Sequence, residues 1–140
     1  MPKHIYINKK IDPFNKMLLI DKKIINRSRK AIENSPFNLP FFEILQVNSL
    51  NAQQVSDDKS RFFKKEFKFI NSSAFIENEF LILIKTGVLR REVDGQGLTS
   101  KVRITPIGRQ VLENSPNLFN KKQSFIRKTL TCLKYQLTPR

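Results

Sequence analysis

The chain has 140 residues, 39% of them hydrophobic and 12 of them phenylalanine, enough large apolar side chains for one buried core and too many for a disordered chain. Its formal charge of +14 attracts phosphate backbones or anionic surfaces, although the lysine-rich usage of an AT-rich genome accounts for part of the surplus. One cysteine, Cys132, excludes an intramolecular disulfide, and one histidine, His4, excludes a multi-histidine metal site within the chain.

Residues 1–11 contain HIYIN, which reads as a short strand or an ordered arm. Asp12 then occupies an N-cap position and Pro13 the first helical position, where a missing N–H is harmless. Over the helix that follows, Met17, Ile20, Ile24 and Ala31 share a face, with Leu18, Ile25 and Ile32 beside it. Lys16, Lys22, Lys23, Arg27, Arg29 and Lys30 fill the other face. Ser35-Pro36 repeats the cap-then-proline signal. A short apolar helix follows, clearest over 40–50, with Phe41, Leu45 and Val47 or Ile44 inward.

NAQQVSDDKSRFFKKEFKF reads as another helix or as two short pieces. In it Phe62, Phe63, Phe67 and Phe69 alternate with Arg61, Lys64, Lys65 and Lys68. Such interleaving suits base stacking, but core packing uses phenylalanine equally well and is the favoured reading. Asp57 and Asp58 read as capping residues. Ser72 or Ser73 caps the next helix, and Gly87 ends it. Phe80, Ile76, Leu83 and Ile84 form its expected core face, and Asn78, Ala74, Lys85, Phe75 and Ile82 the opposite one. So apolar a helix is expected to be covered by flanking helices or by a second copy.

Val88–Val93 and Leu98–Ile104 read as strands around the turn DGQG. Thr105-Pro106 starts a helix with Ile107, Val111 and Leu112 on its apolar side. The tetrapeptide ENSP at 33–36 and 113–116 stops a helix each time. Beyond it, KKQSFIRKTLTCLKYQL places Phe125 or Ile126, Leu130, Leu133 and Leu137 at helical spacing, and no acidic residue follows Glu113. The densest apolar run, FLILI at 80–84, is far short of the roughly 20 residues that span a bilayer. MPKHIYINKK lacks the apolar run of a signal peptide. The expectation is a soluble cytoplasmic protein.

Three helices, a hairpin and a short helix form the layout of a winged helix-turn-helix domain. Residues 80–112, FLILIKTGVLRREVDGQGLTSKVRITPIGRQVL, resemble winged-helix transcription regulators. In that family a recognition helix ends at a glycine, a leucine-and-arginine strand and a polar wing follow, and the return strand closes on an LTPxGRxLL-like phrase. Here the phrase is Ile104-Thr105-Pro106-Ile107-Gly108-Arg109-Gln110-Val111-Leu112. The layout extends from about Pro40 to Glu113, and the specific wording from Thr86 to Leu112. The fold class implied is mainly α with a small β-hairpin: a winged-helix domain over 36–114, an N-terminal arm and basic helix over 1–35, and a C-terminal basic helix over 115–140.

What the resemblance implies is a DNA-binding regulator acting as a homodimer. Arg90, Arg91, Lys101 and Arg103 on the wing would meet phosphates, and Gln96, Thr99 and Ser100 would add hydrogen bonds. On the recognition helix only Asn78 and Lys85 could read or neutralise DNA, while Glu77 and Glu79 would repel it. Lys64, Lys65 and Lys68 add electrostatic contacts. Two other readings stand beside this one: a protein-interaction or assembly module docking through the helix at 73–86, and a ribosome- or RNA-associated basic protein. No cofactor or membrane is implied. No acid–base or metal constellation marks an enzyme, DGQG lacks the lysine of a phosphate loop, and lone Cys132 reads as a buried helix residue rather than a nucleophile.

Overall fold

A computed structural model describes the backbone of residues 13–120 and the side chains of residues 21–120. The HIYIN segment, Asp12, His4, Cys132 and the expected C-terminal helix lie outside the described residues. The protein is mainly helical, with one two-stranded antiparallel hairpin.

Helix α1 (Pro13–Asn34) starts at its proline and ends at the first ENSP. Ile32 is fully buried, Ile25 and Ala31 pack partly against the core, and Lys22, Lys23, Arg27 and Lys30 are exposed. The expected start of the next helix at Ser35-Pro36 does not occur. The chain is instead extended at Phe37, which forms an antiparallel bridge with Phe63. The backbone N–H of Lys64 donates to the Pro36 carbonyl at 2.7 Å and that of Asn38 to the Phe62 carbonyl at 2.9 Å. Ladder bonds of this kind require extended backbone. Helix α2 therefore spans only Leu39–Ile44, with Pro40 in its first turn. Phe41 and Leu45 point inward as expected, and of the two alternatives for the third position Ile44 packs against the core while Val47 is 72% exposed. The helix stops early because Leu50 is needed elsewhere: it forms an antiparallel bridge with Val102.

Helices α3 (Ala52–Asp57) and α4 (Lys59–Phe62) are two short pieces. Asn51 begins α3 with a capping box, its side chain accepting from Gln54 N–H while the Gln54 side chain accepts from Asn51 N–H, both at 2.8 Å. Asp58 stands between α3 and α4 and makes no side-chain cap bond. Its carboxylate lies 3.9 Å from Arg61 instead, and Asp57 accepts from Gln53. A single 3₁₀ turn, Lys65–Phe67, follows. Phe62, Phe63 and Phe67 are buried and Phe69 is 43% exposed. Core packing thus claims three of the four phenylalanines in the interleaved stretch.

Helix α5 (Ser73–Lys85) is capped by Ser72, whose hydroxyl accepts from Phe75 N–H. At its other end Val88 N–H donates to the Leu83 carbonyl and Gly87 N–H to the Ile84 carbonyl. This is the paired bonding of a Schellman cap. Gly87 supplies the left-handed residue it requires, at φ +88°. Ser28 of α1 adds a 2.7 Å hydrogen bond to the Thr86 carbonyl, tying the two helices at this corner.

Strands β1 (Leu89–Asp94) and β2 (Gly97–Ile104) pair from Leu89↔Ile104 to Asp94↔Gly97. The register shifts between Arg91↔Val102 and Val93↔Leu98, so Thr99, Ser100 and Lys101 stand opposite Glu92 alone. The Thr99 hydroxyl fills the bulge, donating to the Glu92 carbonyl and accepting from Lys101 N–H. Helix α6 (Pro106–Asn114) is capped by Thr105, whose hydroxyl accepts from Gly108 N–H and donates to the Gly87 carbonyl at 2.6 Å. One side chain therefore closes α6 and fixes it to the root of the hairpin.

Among the described residues seven phenylalanines are fully buried, Phe37, Phe41, Phe42, Phe63, Phe67, Phe75 and Phe80, and Phe62 is 3% exposed. Phe41 stacks on Phe37 at 4.1 Å between centroids and on Phe80 at 6.0 Å. It meets Phe42 edge-on at 5.0 Å. Ile32 of α1 and Leu118, beyond α6, join the same core. The core is therefore continuous across positions 35 and 114, where the sequence suggests boundaries.

Candidate nucleic-acid interface

The surface singled out by sequence consists of the hairpin, the outer face of α5 and the lysines at 64–68. On the hairpin, Arg90, Gln96, Ser100 and Lys101 are exposed, while Arg91, Thr99 and Arg103 are half-buried. Alternation along β1 puts Leu89, Arg91 and Val93 on one side and Arg90, Glu92 and Asp94 on the other. Leu89 is buried and anchors the first side.

The arginines are paired with acids. Arg91 lies 3.0 Å from Glu77 of α5 and also donates to the Ser100 carbonyl. Arg90 and Arg103 flank Glu92, at 3.7 and 3.3 Å. Glu92 thus sits between two guanidiniums, and Glu77 fastens the hairpin to α5. Exposed pairs of this kind contribute only about 0–1 kcal/mol each, so a phosphate can compete for Arg90. Arg91, with a side chain 19% exposed, is the more firmly held. At the tip, the Asp94 carboxylate accepts from Gln96 N–H and positions the Gly95-Gln96 reversal. Val93 and Leu98 form an exposed apolar pair just below it, 61% and 76% accessible.

Helix α5 buries Phe75, Ile76, Glu79, Phe80 and Leu83. Phe75, expected on the outer side, is inside: its ring lies 6.0 Å from Phe63 and 6.3 Å from Phe67. Glu79 is 4% exposed and so is not available for direct contact with a surface ligand. Of the two expected covers, flanking helices of the same chain leave this face open: Ala74, Leu81, Ile82 and Lys85 are exposed and Asn78 is half-exposed. Asn78 and Lys85 do lie on the open face, among aliphatic neighbours. The lysines at 64–68 are of two kinds. Lys64 turns inward and donates to the Glu33 carbonyl at 2.8 Å, at the C-terminal end of α1, where a cation meets the negative end of the helix dipole. Lys65 and Lys68 are exposed.

Sequence reasoning assigned no role to Glu92. The signal was present, since residues 90 and 92 of one strand share a face and the run reads Arg-Arg-Glu. Neutralising it is expected to help an anion. Glu92→Gln should tighten binding of a short random-sequence duplex by about threefold to tenfold at low salt, read by fluorescence anisotropy.

Among the described residues no group of three or more His, Cys, Asp or Glu side chains could hold a metal ion. No helix among them is long and apolar enough to cross a membrane. Fold and surface together define a small basic helical domain that carries a cationic hairpin. Within that class the chain belongs to the Npun_F0494-like family, which it matches over residues 18–135. No curated protein and no solved structure matches it.

Proposed function

We propose that this protein is a winged-helix nucleic-acid-binding protein, a DNA-binding regulator that holds phosphates through its hairpin and reads little base sequence. The observation that carries the proposal is the seating of a cationic hairpin against α5 through Arg91 and Glu77. The chain order supports the winged layout: α2, the Leu50 bridge, α3, α5, then β1 and β2. The fifteen residues from Asp58 to Ser72 stand where a tight helix-turn-helix corner would be shorter.

Base reading needs polar side chains on the helix that enters the groove. The open face of α5 has Asn78 and Lys85 among Ala74, Leu81 and Ile82. Recognition in this proposal is therefore electrostatic, with Arg90, Lys101, Arg103, Lys85, Lys65 and Lys68 as the phosphate contacts. Gln96 and Ser100 add hydrogen bonds, whereas the Thr99 hydroxyl is committed within the bulge to the Glu92 carbonyl and Lys101 N–H. A homodimer in the cytoplasm doubles the cationic surface.

The test is duplex affinity across a salt series. The expected log–log slope is steep, about −0.9 per phosphate neutralised, with similar affinities for unrelated sequences. The double variant Arg90→Glu with Lys101→Glu changes two exposed residues and leaves the buried side of the hairpin intact. It should weaken binding about tenfold at low salt and flatten the slope by about two units. No duplex binding at low salt would sink the proposal.

A further inference from the structure

A groove of about 510 Å³ runs between α1 and α5. Its floor is made by Ala31, Leu83 and Thr86, its wall by Ile82, and its rim by Arg27 and Lys30. The adjoining Leu81 is 45% exposed and Ile82 38% exposed, so the apolar floor continues onto the open face of α5. Lys23, Arg27 and Lys30 are exposed at helical spacing along α1, which lays a cationic stripe beside it. The acidic side chain that also lines the groove, Glu79, is 4% exposed. Ile82 is turned about 140° around α5 from Glu77, the residue that meets the hairpin. Groove and hairpin are therefore separate surfaces.

We infer that this groove docks an acidic amphipathic peptide segment of a partner protein, with aliphatic side chains on Ile82 and Ala31 and carboxylates on Arg27 and Lys30. Charge complementarity selects this occupant. The rim calls for carboxylates, and with 12 acidic residues against 26 basic ones a second copy has few to offer this groove, so a homodimer would use another face. A nucleic acid would satisfy the rim but leave the aliphatic floor uncovered. An amphipathic helix meets both, its apolar positions at i, i+4 and i+7 lying along the floor. The inference names other contact residues than the phosphate-binding proposal, and the two surfaces adjoin at Lys85 on the open face of α5.

The experiment titrates the full chain with a fluorescein-labelled helical peptide carrying leucines at i, i+4 and i+7 and glutamates between them. One control peptide has lysines for the glutamates and another has serines for the leucines. The acidic leucine peptide should bind at least about tenfold more tightly than either control. Ile82→Glu, and separately Arg27→Glu with Lys30→Glu, should each weaken it about tenfold. Ile82→Ala removes the aliphatic contact without adding charge and serves the same purpose if Ile82→Glu unfolds. Equal binding of the serine peptide, or insensitivity to change at Ile82, would overturn the inference. So would competitive displacement of the peptide by a random-sequence duplex. Duplex binding that falls in the Arg90→Glu, Lys101→Glu variant but not in Ile82→Ala keeps the two surfaces distinct.

Discussion

Phe41→Ala is expected to lower the unfolding free energy by about 3–5 kcal/mol. The side chain is completely buried and its ring lies against Phe37, Phe42, Phe62 and Phe80. Those partners come from the Phe37 bridge, α2, α4 and α5. Rings held by so many elements cannot collapse together into the space left behind, so the cavity term adds to the lost transfer energy. Domains of this size have only about 5–15 kcal/mol in total. The melting temperature should therefore fall by roughly 10 °C or more, read by circular dichroism. Phe41→Leu retains most of the volume and should lose less than about 2 kcal/mol. Equal losses in the two variants would mean that ring stacking, not cavity formation, dominates the site.

The second large effect is at Gly108. A Cβ there would lie 2.7 Å from the Val88 carbonyl oxygen and 2.8 Å from Cγ1 of Ile104. Neither neighbour can move cheaply. The Val88 carbonyl already accepts from Thr105 N–H at 2.9 Å, and Ile104 is buried. Alanine would gain roughly 1 kcal/mol of helix propensity over glycine. Overpacking costs about 1–3 kcal/mol and sometimes more, and here it acts on backbone, so it wins. Gly108→Ala should be destabilised by about 1–3 kcal/mol in a urea melt. Gly95 is the matched control: nothing lies within 4 Å of its added Cβ. Gly95→Ala should be neutral within about 0.5 kcal/mol.

These two sites divide what the sequence reveals from what it hides. The role of Gly108 was legible, because a glycine three residues after a Thr-Pro cap leaves close helix approach as its use. The stop at Gly87 and the caps at Ser72 and Thr105 were legible for the same reason: each is local chemistry within four residues. The short length of α2 was not, since it ends for a bridge to Val102 about fifty residues away. Phe75 sits at the border of two helical faces, and only the rings of Phe63 and Phe67 draw it inward.

In the candidate interface, the identities of the cations were plain from sequence. Their partners were not. Lys64 looks like its neighbours Lys65 and Lys68 until α1 brings the Glu33 carbonyl to within 2.8 Å. Arg91 and Glu77 are fourteen residues apart, and only the turn at Gly87 folds the hairpin back so that they meet. That pairing makes the hairpin a mount on α5 as much as a cationic surface.

The central claim is that phosphates are held by the hairpin and by the exposed Lys65, Lys68 and Lys85. The most direct measurement is an amide chemical-shift map of the labelled chain titrated with a random-sequence duplex at low salt. The account predicts shifts that cluster over 90–103 and at Lys65, Lys68 and Lys85. They should be reproduced by a duplex of unrelated sequence and lost as salt rises. Shifts confined to the groove between α1 and α5, or an unchanged spectrum, would contradict it.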